Sequence, residues 1–80
     1  MPYISEEGKT TLRDIKHKYH LSTYAISAIA YVEPGLVYRM EQGGALARKD
    51  VEKILVRLSE VTGQDYSIET VGGYWITGEE

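Results

Sequence analysis

The 80 residues predict an all-α domain of four or five short helices with a helix-turn-helix near residues 23–42 and a short strand-like C-terminal tail. Three observations carry that prediction. Apolar residues recur at helical spacing in four separate runs, three of the runs begin near a capping residue or a proline, and glycines stand after two of them. The chain reads as one domain, 1–80, with its helical body at about 11–71 and its tail at 72–80, and with no repeat or linker.

The first helix is expected near 11–19. Thr11 and Asp14 have capping-box spacing, and Leu12, Ile15 and Tyr19 share one side. The second starts at the cap Ser22 and runs to about residue 30 on Ala25, Ile26, Ile29 and Ala30. The third follows Glu33 and Pro34, because proline fits a first helical turn, where its missing N–H costs nothing. Val37 and Met40 share one side of it, and Gly43-Gly44 stop it. The fourth and longest spans about 47–62, with Val51, Ile54, Leu55, Leu58 and Val61 as its apolar stripe and Gly63 at its end. Ser67–Val71 reads as one further helical turn. Gly72-Gly73 breaks the chain, and Tyr74–Thr77 reads as a short strand for which Tyr3-Ile4 could be a partner. The predicted core is Leu12, Ile15, Leu21, Ile26, Val37, Met40, Ile54, Leu55 and Leu58.

Composition narrows the function. A chain of this size has a small core, and without cysteine it has neither disulfides nor thiolate metal sites to reinforce it. No run approaches the roughly 18 apolar residues that span a bilayer, and MPYISEEGK lacks the order of a signal peptide, so a soluble cytoplasmic protein with no membrane partner is expected. The net charge is −3, but its distribution is uneven. All nine basic residues lie between Lys9 and Arg57 with only five acids among them, a net of +4, and the remaining acids lie toward the ends. Such a body can face phosphate, although an ordinary solvated surface accounts for the charge equally well.

Helix 23–30, a turn and helix 34–42 make a helix-turn-helix unit, whose second helix can enter a major groove. The order of motifs here resembles the Cro/repressor-type (XRE-like, lambda-repressor-like) helix-turn-helix regulators. Leu12-Arg13-x-Ile15-Lys16 is similar to that family's "LRxLR", Leu21-Ser22 to its "LS", and the run VYRMEQG at 37–43 to its "ISRIERG". The likeness covers about residues 11–71. It implies a DNA-binding transcription regulator, a repressor, that works on double-stranded DNA as a homodimer. It also implies that Pro34, Gly35, Tyr38 and Arg39 face the groove, that Gln42 lies near the DNA backbone and Thr23 near a phosphate, and that Lys16 and Glu41 form an ion pair. Tyr24 is a further candidate for contact with phosphate or base.

Three positions depart from the family pattern: Thr23 stands for glutamine, Ser27 for alanine and Tyr31 for glycine. A tyrosine forced to positive φ would be strained by roughly 1–2 kcal/mol, so a locally different turn is expected. Pro34 and Gly35 bring no hydrogen-bonding side chain to a base edge, which leaves Arg39 as the main reader.

The rival readings are weaker. His17 and His20 have a spacing open to a metal, but no third ligand stands out. No serine–histidine–acid pattern suggests an enzyme, and neither a catalytic residue nor a cofactor is expected. The stronger alternative is a protein-interaction module, or an antitoxin-like partner, that keeps the fold and binds DNA weakly. The tail at Tyr74–Thr77 is expected at a dimer interface or in a small sheet beside it, with Trp75 as core lid or interface anchor.

Overall fold

The computed structural model describes residues 2–78. Its elements run β1 (Tyr3–Ile4), β2 (Thr10–Thr11), α1 (Leu12–Lys18), α2 (Thr23–Ala30), α3 (Pro34–Glu41), β3 (Ala45–Ala47), α4 (Arg48–Thr62), β4 (Val71–Gly72) and β5 (Tyr74–Thr77). Four of these fall where the helical periodicity places them, and their caps explain why. Thr11 and Asp14 form a reciprocal capping box at α1, and the Ser22 hydroxyl accepts from the Ala25 N–H at 3.0 Å at the start of α2. Gly63, with φ 75°, ends α4 in the left-handed conformation.

The all-α expectation is overturned. Beside the four helices stand a three-stranded mixed sheet, ordered β1-β5-β3, and a two-stranded parallel sheet, β2-β4, so the fold is α/β. β5 is the middle strand, antiparallel to β1 (Tyr3 opposite Trp75) and parallel to β3 (Ala45 opposite Trp75). α4 is the crossover between the parallel strands β3 and β5. The expected fifth helical turn is a single turn closed by the Val71 N–H on the Ser67 carbonyl, after which the chain enters β4. Gly72 therefore pairs with Thr11 instead of breaking the chain, and a Cβ there would overlap the Ser5 carbonyl. The tail folds back on its own domain with Tyr74 and Ile76 turned into the core, while Trp75 lies on the outer side and is therefore not a lid on the core. Both edges of β5 are occupied within the chain.

One core joins helices and sheet. The predicted members are buried except Leu21, which packs at its margin, and Ala30, Leu46, Val51, Val71, Tyr74 and Ile76 complete it. Val61, placed in the apolar stripe of α4, is exposed instead. Burying Tyr74 and Ile76 under the helices gives the sheet its role, because each contributes on the order of 2–3 kcal/mol of apolar burial to an otherwise small core. Among the described residues, no helix is long and apolar enough to cross a membrane.

Candidate nucleic-acid interface

The candidate site is the outward side of α3, and its back is fixed from three directions. Val37 and Met40 enter the core. Glu41, whose side chain is 4% exposed, takes the Lys16 ammonium of α1 at 2.8 Å on one oxygen and the Thr23 hydroxyl of α2 at 2.7 Å on the other. Lys16 also donates to Thr23 at 3.2 Å. One buried carboxylate thus ties α1, α2 and α3 together, which suits a helix that must hold its angle. Removing one member of such a pair leaves the other charge uncompensated and is costly.

The turn ahead of α3 has the left-handed geometry after all. Tyr31 caps α2 with φ 56° and ψ 45°, so the expected local departure does not occur. Arg57 offsets the strain. Its guanidinium stacks 5.0 Å from the Tyr31 ring centroid, and its Nε–H donates to the Ile29 carbonyl at 3.0 Å, satisfying the end of α2. Ser27, the other departure, is buried and donates to the Val32 carbonyl, which holds the turn from inside.

At its start α3 has Glu33 as N-cap without a side-chain bond, so the first N–H groups receive no cap from that residue. Pro34 is half-buried and Gly35 exposed, and a Cβ on Gly35 would meet nothing within 4 Å. Tyr38, Arg39 and Gln42 all point outward, Tyr38 with 58% of its surface exposed. Tyr24, 75% exposed, lies in the first turn of α2. Six of the seven predicted residues therefore lie exposed or half-buried on the α2–turn–α3 unit, five by their side chains and Gly35 by its backbone. Thr23 is the exception: its hydroxyl is directed inward to Glu41 and is committed to the ion pair. The signal for that was the acid 18 residues later, which local spacing cannot connect to it.

Two features were missed in the sequence. Gly44 is required by Arg39, since a Cβ there would come within 2.6 Å of the Arg39 Cγ and 3.1 Å of its carbonyl oxygen. The Arg39 stem lies over this bare backbone, and its Nη1 stands 3.5 Å from the Ala45 carbonyl, a long contact that leaves the other guanidinium donors open. The second feature is an open cleft of about 620 Å³ between the N-terminal segment, α1 and the end of α3, where Arg13, His17 and Lys9 come beside Gln42. Glu6 and Asp14 also line it, so its charges nearly balance. No three His, Cys, Asp or Glu side chains gather among the described residues in a way that could hold a metal ion. Comparison of the chain with known protein families, curated proteins and solved structures finds no match.

Proposed function

We propose that the chain is a sequence-specific DNA-binding transcription regulator, a repressor, that places α3 in the major groove and acts as a homodimer in the cytoplasm. The observation that carries this reading is the outward row Gly35, Tyr38, Arg39 and Gln42 on a helix whose back is anchored by the Lys16–Glu41–Thr23 network. The resemblance to Cro/repressor-type regulators points the same way. Arg39 supplies the bidentate donors that suit guanine, and Gly35 lets the helix start approach a phosphate closely. Two copies on a palindrome would set their α3 helices about 34 Å apart. With β5 paired on both sides, such a dimer would use side-chain faces and not the backbone of the tail.

The alternative is a protein-interaction module of the same fold. The exposed tyrosines 24, 31 and 38 favour it, because tyrosine is an amphipathic interface residue. Selection of bound duplexes from a random pool, followed by titration at two salt concentrations, separates the readings. DNA recognition predicts an enriched motif and a log–log salt slope of about −0.9 per phosphate contacted. Binding with no motif and no salt dependence would favour the protein partner.

A further inference from the structure

The sheet presents to solvent a face that the core does not use. Along β5 the side chains alternate, with Tyr74 and Ile76 buried and Trp75 39% exposed on the other side. Cross-strand register puts Tyr3 and Ala45 on either side of Trp75, and Ala47 beside Thr77. The Tyr3 and Trp75 rings meet with centroids 4.8 Å apart, and the alanines leave the rest of the face low. This face is continuous with the outward side of α3: the Trp75 N–H donates to the Gly44 carbonyl at 2.9 Å, and Arg39 lies over Gly44 and reaches the Ala45 carbonyl. At about 4.8 Å between strands, Ala45, Trp75 and Tyr3 form one row across the sheet, and Arg39 of α3 stands at its β3 edge beside the Ala45 carbonyl.

The geometry points to a second DNA contact: the Trp75–Tyr3 face packs against the sugar–phosphate strand at one end of the footprint of α3, as a non-ionic extension of the reading helix. This rests on the DNA-binding reading above. Two features select the occupant. Arg39, beside the Ala45 carbonyl, sets the β3 edge of this face next to the candidate groove-reading side chains. Two partly exposed rings among alanines and a threonine also fall well short of the roughly 800 Å² that each partner of a standard protein interface buries, so the face by itself does not hold a second copy. An exposed aromatic pair beside a cationic side chain suits apolar sugar faces next to phosphate.

Trp75 is the single tryptophan of these 80 residues, so its emission reports on this face alone. The wild-type protein is titrated with the duplex enriched from the random pool while Trp75 emission and the anisotropy of a labelled duplex are followed together. The inference expects the emission to change and to saturate with the anisotropy. It also expects Trp75→Thr and Tyr3→Thr each to weaken binding, by about tenfold for Trp75→Thr, the size of one good aromatic contact. Because the contact carries no charge, that loss should be the same at both salt concentrations and leave the base preference unchanged. Should Trp75→Thr fail to fold, the exposed Tyr3→Thr and the wild-type emission still decide. Duplex binding with silent Trp75 emission and unchanged Tyr3→Thr affinity would overturn the inference and leave the α3 reading intact. Absence of duplex binding overturns both. An emission change that follows protein concentration without DNA would assign the face to a second copy and also overturn the inference.

Discussion

The helix-turn-helix unit and the mixed sheet are built by different means. α1, α2 and α3 follow from residues within a few positions of one another: a capping box, a serine cap, a proline start, and apolar residues three and four apart. The mixed sheet joins N-terminal and C-terminal segments, and its strands of two to four residues exist because Tyr3 meets Trp75 and Ala45 meets Trp75 from the other side; the small parallel sheet likewise needs Thr10 to meet Val71. The candidate interface is thus locally specified but globally supported, since Leu46, Tyr74 and Ile76 belong to the core on which α3 rests.

That dependence can be broken most severely by ending the chain at Gly72. The loss removes Tyr74 and Ile76, both fully buried, and substitutions of such core residues to alanine cost about 2–5 kcal/mol each. Small domains have about 5–15 kcal/mol in total, so the truncated chain should lose its cooperative thermal transition and most of its far-UV helical signal. Retention of both would mean that the helical unit stands without the sheet.

Next in size is Lys16→Met, which keeps the stem and leaves the Glu41 carboxylate buried without its cation. A cost of about 3–5 kcal/mol is expected by denaturant unfolding. Because Lys16 remains one-third exposed, water can reach the pair and the lower end applies. A loss under 1 kcal/mol would show that the network does not hold α3.

The sheet makes its own pH-dependent prediction. Burial pushes the Tyr74 phenol up to about 12, and burial together with the Tyr19 hydrogen bond does the same for Tyr66. Tyr19 moves the opposite way, lowered chiefly by the hydrogen bond that Tyr66 donates at 3.4 Å. A raised folded-state value means that the fold favours the neutral phenol. That stability is complete below the ordinary tyrosine value near 10 and is lost as the pH rises toward 12. Tyr74→Phe should cost about 1 kcal/mol at neutral pH, through the 2.8 Å bond its hydroxyl donates to the Val71 carbonyl, and should flatten the decline between pH 10 and 12. An unchanged alkaline profile in this variant would contradict the assignment.

The smallest effect is expected at the turn. Tyr31→Gly relieves about 1–2 kcal/mol of left-handed strain, loses about 0.5–1 kcal/mol of stacking on Arg57, and loosens the unfolded chain by a similar amount. The midpoint of unfolding should stay within about 1 kcal/mol of wild type, and a loss of 2 kcal/mol or more would mean that the Tyr31–Arg57 contact is a principal support of the unit.

The same contrast explains what was legible in the sequence. The four helices and most of the core could be read from local spacing, whereas the outward placement of Tyr38, Arg39 and Gln42 comes from the resemblance to Cro/repressor-type regulators. Ala45 and Leu46 fall between the glycine stop of the third helix and the expected start of the fourth at 47, too short a run to show alternation, so neither Leu46 nor β3 is expected. Val61 sits at helical spacing in α4 but lies beyond what the sheet and α2 cover. Thr23 carries a residue type suited to phosphate, yet a buried acid 18 residues away captures its hydroxyl. Leu46 and Thr23 owe their placement to partners distant in sequence, and Val61 to the lack of one.

The most direct test of the central claim, that α3 reads duplex DNA, is the affinity of Arg39→Ala for the selected duplex and for duplexes mismatched at single positions. A loss of about 1–3 kcal/mol on the preferred duplex, with discrimination flattened at one base pair and the melting temperature unchanged, is the predicted result. An Arg39→Ala protein that keeps both its affinity and its base preference would contradict the claim and leave the outward face of α3 to a protein partner.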